Sequence, residues 1–111
     1  MSGWFDRGSL DAIPQGEGRT FALGGRRVAV FRTRAGEVYA TQASCPHREG
    51  PLADGLMGGR SIVCPLHGYK FDLATGEPVG HTCGRLAVYP VSVGDDRRIH
   101  LHVEAASGTD G

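Results

Sequence analysis

Long apolar runs are missing from this 111-residue sequence. No stretch approaches the length of a membrane span. The opening residues, Met1-Ser-Gly-Trp-Phe-Asp-Arg7, carry no apolar signal core. Together these absences predict a cytoplasmic protein without a membrane partner. An excess of one charge is missing too: 12 Lys and Arg balance 12 Asp and Glu, and the formal net charge is zero with His neutral. That balance gives no case for binding nucleic acid or a charged membrane surface. Neither an internal repeat nor a second domain is visible. What the chain does have is glycine, 18 residues of it, which points to many turns and little helix. Its apolar content, 40%, is enough for one domain with a modest core.

Cysteine is scarce, three residues in all, and two of them sit in the most informative stretch. It reads C-P-H-R-E-G-P-L from Cys45, then a glycine-rich spacer, then C-P-L-H-G-Y-K-F-D from Cys64. Cys45 pairs with His47 and Cys64 with His67, with 16 residues between the pairs. Thiolate and imidazole bind soft and borderline metals, so these four side chains form a complete ligand set. One reading is a structural Cys₂His₂ zinc site. Zinc fingers, however, usually pair Cys with Cys and His with His along the chain. Here each half supplies one of each, an alternation that suits a two-iron cluster with both thiolates on one iron and both imidazoles on the other.

The motifs C-P-H-R-x-G-P-L-x-x-G and C-P-L-H-G-x-x-F-D resemble those of Rieske-type [2Fe–2S] ferredoxins, and the similarity extends over roughly residues 3–103. The resemblance implies an all-β fold: a Rieske-type antiparallel β-sandwich or barrel with a small cluster-binding subdomain of two ligand loops. It places the cluster-binding subdomain at about 43–73, within the single domain over residues 1–104 that the length predicts; the small, polar residues 105–111 predict a disordered tail. Cys45, His47, Cys64 and His67 would hold one [2Fe–2S] cluster per chain. With two ferric irons, two sulfides and two thiolates the cluster is neutral, and neutral imidazoles add nothing. A four-thiolate cluster carries two more negative charges and accepts an electron less readily. His ligation therefore raises the potential into a range of about −150 to +300 mV.

Along the chain, Trp4-Phe5 opens an edge strand expected to pack its aromatics on the core. Ser9 is placed to cap one helical turn ending before Pro14. Thr20–Leu23, a Gly24-Gly25 hairpin turn and a returning strand follow, with Val28 and Val30 on its buried face and Arg26 and Arg32 at its solvated ends. A turn at Ala35-Gly36 leads into Glu37–Thr41 and so to Cys45. The segment 48–60 is expected to be an irregular connection with Leu56 and Met57 tucked inward. Ser61–Val63 and Tyr69–Leu73 are predicted strands flanking the second loop, the latter turning at Ala74-Thr-Gly76. Residues 86–93 and 97–103 form a predicted closing hairpin, with His100 and His102 on its solvent face.

The remaining candidates carry weaker signals. Cys83 lies outside both ligand pairs and reads as a free, partly buried thiol, with a redox or structural role as the other reading. Respiratory-chain Rieske proteins add a disulfide between the loops; Gly50 and Leu66 stand at those positions, so that bridge is absent. His81 is a candidate for a third loop over the cluster, and Arg48 and Glu49 for a docking rim, beside their reading as ordinary loop residues. In high-potential relatives a serine and a tyrosine donate hydrogen bonds to cluster sulfur. Tyr69 and Phe71 occupy those positions here, which implies a low-potential carrier. The resemblance implies one-electron transfer and no catalysis by the chain alone, since a Rieske oxygenase needs a further domain for its mononuclear iron. The partners implied are a flavin reductase and an oxygenase. The alternative is a cluster-bearing small subunit of an assimilatory NAD(P)H nitrite reductase, served by its large subunit.

Overall fold

The computed structural model describes residues 3–23, 26–44, 51–65, 68–80 and 84–103. β1 (Gly3–Ser9) leads into a 3₁₀ turn at Leu10–Ala12, where the Ser9 hydroxyl accepts from the Asp11 N–H at 3.1 Å. β2 (Glu17–Leu23), β3 (Arg26–Arg32) and β4 (Val38–Gln42) form a meander, and the Leu23↔Arg26 pairing brackets Gly24-Gly25, which lies outside the described residues. A second 3₁₀ turn at Leu52–Asp54 precedes β5 (Leu56–Gly58), β6 (Ser61–Val63), β7 (Lys70–Asp72) and β8 (Pro78–Val79). β9 (Val88–Tyr89), β10 (Val91–Val93) and β11 (Arg98–Val103) complete the order.

Among the described residues all strand pairings are antiparallel and make three sheets: β1-β11-β10, β2-β3-β4-β9 and β5-β6-β7-β8. The second sheet is the middle layer. On one side Val28, Val30 and Ala40 join Leu10, Ile13, Ile99 and Leu101 in a core shared with the first sheet. On the other side Ala29 and Phe31 join Leu52, Ile62, Cys64, Phe71, Leu73 and Leu86 in a core shared with the third. Val28, Ala29, Val30 and Phe31 are all fully buried, so β3 has no solvent face. The expectation of a one-sided strand is corrected here. The unbroken run V-A-V-F was the available signal, because continuous apolar runs mark strands covered on both faces.

Four further expectations are corrected. Arg32 does not end β3 in solvent: its guanidinium reaches back to the Ile13 carbonyl at 2.9 Å, closing the carbonyl end of the first 3₁₀ turn. Segment 51–58 is ordered into the 3₁₀ turn and β5, and Leu56 is 78% exposed while Met57 alone packs inward. Residues 88–89 pair with β4 in the middle sheet, so the closing hairpin is only β10–β11. Trp4 stays half exposed and packs edge-on against its cross-strand partner His102 at 5.1 Å, leaving Phe5 to reach the core. His100 and His102 do alternate with buried Ile99 and Leu101. At the base of this sheet, Arg98 and the Gly8 N–H hold the Asp6 carboxyl down to about 2.

Gly18 lies opposite Phe31 on β2, and a Cβ there would sit 2.7 Å from the ring. The ring thus fills the space a side chain would need. Phe31→Ala should cost about 3–5 kcal/mol, the usual loss for a buried aromatic, read as a fall in the urea midpoint of the protein.

Candidate metal centre

Three connections leave one end of the third sheet. The first, 43–55, carries Cys45 and His47; the second, 64–69, carries Cys64 and His67; the third runs from Gly80 to Gly84. Cys45, His47, Arg48, Glu49, Gly50, Leu66, His67, His81 and Cys83 lie outside the described residues. What the structure defines is the footing from which the loops spring.

Each loop is closed at its base. Ser44 bridges Pro51, and the Leu52 N–H donates to the Ala43 carbonyl at 3.0 Å. In the second loop the Cys64 N–H donates to the Tyr69 carbonyl at 2.7 Å, and the Gly68 N–H to the Cys64 carbonyl at 3.0 Å. Gly68 takes a φ of 73°, a left-handed conformation that glycine adopts without a Cβ penalty. Cys64 itself is 1% exposed and belongs to the apolar core between the second and third sheets.

The two bases are also joined to each other. β5 pairs with β6 so that Leu56 faces Val63, one residue before Cys64. Gly55 lets the end of the 3₁₀ turn lie directly on the Val63 carbonyl; a Cβ there would fall inside contact distance of that oxygen. The exit of the first loop therefore rests against the entry of the second. Gln42 makes a third link. Its side-chain amide donates to the Ser44 carbonyl at 2.7 Å and accepts from the Ala87 N–H at 2.8 Å, tying the first loop to the chain returning from the third. Sequence reasoning missed Gln42 and Gly55 as positioning residues. A polar amide ending an apolar strand three residues before Cys45 was the only available hint of the first.

Tyr69 is half-buried against the core that holds Cys64, and Phe71 is a fully buried member of it. Beyond β7, the Asp72 carboxylate accepts from the Ala74 N–H at 2.8 Å and the Thr75 N–H at 3.2 Å, forming the turn expected at Ala74–Gly76. An open cleft of roughly 580 Å³ lies at the opposite end of the third sheet, lined by residues including Arg34, Glu37, Arg60 and Asp72. No helix among the described residues is long and apolar enough to cross a membrane. A buried thiol at the start of one loop, a second Cys and two His on adjoining loops, and a shared rigid footing fit a cluster with two thiolate and two imidazole ligands.

Comparison with known proteins agrees with this footing. Residues 3–90 match the family model described as the Rieske [2Fe-2S] domain. The ferredoxin component of a naphthalene 1,2-dioxygenase/salicylate 5-hydroxylase system from a Ralstonia species is 34% identical over 102 residues, 91% of this chain and 96% of the relative. The ferredoxin of carbazole 1,9a-dioxygenase from Nocardioides aromaticivorans superposes with a TM-score of 0.82 at 30% identity, covering 91% of this chain and 98% of that one. A Mycobacterium tuberculosis protein assigned as an NADH-dependent nitrite reductase small subunit superposes with a TM-score of 0.86 at 25% identity, covering 96% and 99%.

Removing the Gln42 clasp tests its role in holding the loops. Gln42→Ala deletes two hydrogen bonds and should cost about 1–3 kcal/mol. Thermal unfolding and bound iron per chain, measured together, should both fall; an unchanged iron content would confine Gln42 to stability.

Proposed function

Because the chain belongs to the Rieske [2Fe–2S] domain family, we propose that it works as the ferredoxin component of an oxygenase system, a cytoplasmic one-electron carrier with no catalytic step of its own. The adjoining, hydrogen-bonded bases of the two ligand loops carry this reading. In it, Cys45 and Cys64 hold one iron as thiolates and His47 and His67 hold the other as imidazoles. We read residues 1–104 as one domain, with the cluster-binding subdomain at about 43–73; the expected tail, 105–111, lies outside the described residues. When bound, the cluster supplies a one-electron couple whose imidazole ligation raises its potential above that of all-thiolate clusters. The chain's own part is positional. Gln42, the Ser44–Pro51 bridge and Gly55 hold the base of the first loop against that of the second.

Purified protein should contain two irons and two acid-labile sulfides per chain, and reduction should give the low average g-value of mixed His and Cys ligation. Stoichiometric zinc without visible absorption would overturn the assignment. Cys45→Ser and Cys64→Ser should each abolish cluster assembly. Cys83→Ser should leave it intact.

We place the potential near the bottom of the Rieske range, because the two positions that carry hydroxyl donors in high-potential relatives are Tyr69 and Phe71. Phe71 has no hydroxyl, and the half-buried Tyr69 ring is too long for a serine's place. Each hydrogen bond to the reduced cluster favours it by about 1–2 kcal/mol, so Tyr69→Ser with Phe71→Tyr should raise the potential by on the order of 50 mV or more. Protein-film voltammetry reads the shift. An unchanged potential, with the new hydroxyls placed on cluster sulfur by crystallography, would show that backbone donors or solvent set the value.

The likeness to the assigned nitrite reductase small subunit favours a second reading, in which the same cluster serves a large reductase subunit. Isolation of the native protein decides between them: a diffusing carrier purifies alone, whereas a subunit purifies with its reductase.

A further inference from the structure

Among the described residues the three sheets end in six edge strands: β1 and β10, β2 and β9, β5 and β8. An edge presents unpaired N–H and C=O groups on which another chain can build, and folded proteins blunt it by shortness, bulges or charge. Four of these strands have only two or three residues. β1 has seven, but its pairing with β11 shifts register between Asp6 and Ser9, the irregularity of a bulge. β2 has neither protection. Its seven residues pair with β3 without a register shift, it contains no proline, and Arg19, Thr20 and Ala22 are exposed.

In an antiparallel pair the peptide groups of alternate residues turn away from the partner strand. On β2 these belong to Gly18, Thr20 and Ala22, since the tight closure at Leu23↔Arg26 puts Leu23, Phe21 and Arg19 in the bonded positions. Two of the three outward carbonyls are already taken, each by an arginine. The Ala22 carbonyl accepts from Nη1 of Arg7 on β1 at 3.1 Å. The Gly18 carbonyl accepts from Arg19 Nη1 at 2.9 Å, and the Glu17 carboxylate, 3.3 Å from the same nitrogen, steadies that guanidinium.

These acceptors are the ones that addition of a second β2 strand would need. Antiparallel pairing of two copies about a twofold axis at Thr20 sets Gly18 opposite Ala22, where each would accept from the other's N–H. The side chains favour such a pairing: Thr20 would meet Thr20, and Gly18 and Ala22 are too small to obstruct it. Only the arginines oppose it, by filling the acceptors and by setting like charges against each other.

We propose that Arg7 and Arg19 guard the β2 edge, barring strand addition by a second copy of this chain and keeping the protein monomeric. The inference is independent of the ferredoxin reading. Sedimentation velocity of the holoprotein over a concentration series tests it. Wild type should sediment as a monomer throughout. Arg7→Ala with Arg19→Ala should shift to a dimer as concentration rises, and Arg19→Ala alone should shift the same way at higher concentration. Adding Thr20→Pro to the double variant should restore the monomer, because proline removes an outward N–H of an edge strand and leaves the bonds to β3 in place. Iron content and far-UV circular dichroism should match wild type in every variant. A double variant that stays monomeric at every concentration would overturn the guard, as would a dimeric wild type. Association that survives Thr20→Pro would place the contact on another surface and overturn it equally.

Discussion

Burial of β3 on both faces is the constraint on which the rest of the structure depends. A strand with one wet face can hold only one neighbouring layer. Val28 and Val30 face the first sheet while Ala29 and Phe31 face the third, so one heptapeptide joins both cores. The third sheet needs that attachment: its four strands are two or three residues long, too short to be stable without a neighbour to pack on. Phe31, filling the space left by Gly18, supplies much of the apolar surface it packs against.

From that attachment follows the order of the loop bases. The buried residues of the third sheet and its connections, Leu52, Ile62, Cys64, Phe71, Leu73 and Leu86, flank the points where the Cys- and His-bearing segments depart. Each loop is thus anchored by an apolar residue on the core side and closed by a backbone hydrogen bond at its neck. Glycine serves this design where two backbones must touch. At Gly55 on the Val63 carbonyl and Gly76 on the Leu86 carbonyl a Cβ would fall inside contact distance of backbone. The first brings the bases of the Cys- and His-bearing loops together, and the second brings the returning third segment against the Asp72 turn.

A carrier of this kind needs little from its scaffold beyond rigidity and a place for its partner to sit. Rigidity limits the rearrangement that accompanies gain or loss of an electron. The same alternation that buries Ile62 and Phe71 turns Leu56, Val63, Lys70 and Val79 outward, so one strand pattern sets both the core and the outer face of the third sheet.

Much of this was legible in the sequence, because the relevant signals are local. The C-x-H and C-x-x-H pairs point to a candidate ligand set through side-chain chemistry, and the family model shows the kinship they imply. Ser9 capping its turn, the meander through Glu17–Gln42 and the strand at Ser61–Val63 also follow from neighbours a few residues apart. What only the tertiary structure decided are relations between distant segments. Periodicity marked Val28 and Val30 as buried, but the burial of Ala29 and Phe31 depends on a sheet formed thirty residues later. The hydropathy of Leu56 argued for the core, yet its register opposite Val63 turns it to solvent. Val88–Tyr89 leaves the closing hairpin for β4, and Gln42 links Ser44 to Ala87, because chain return brings them together. A side chain's type fixes which bonds it can make; which partner comes within reach is set by the packing of the whole chain.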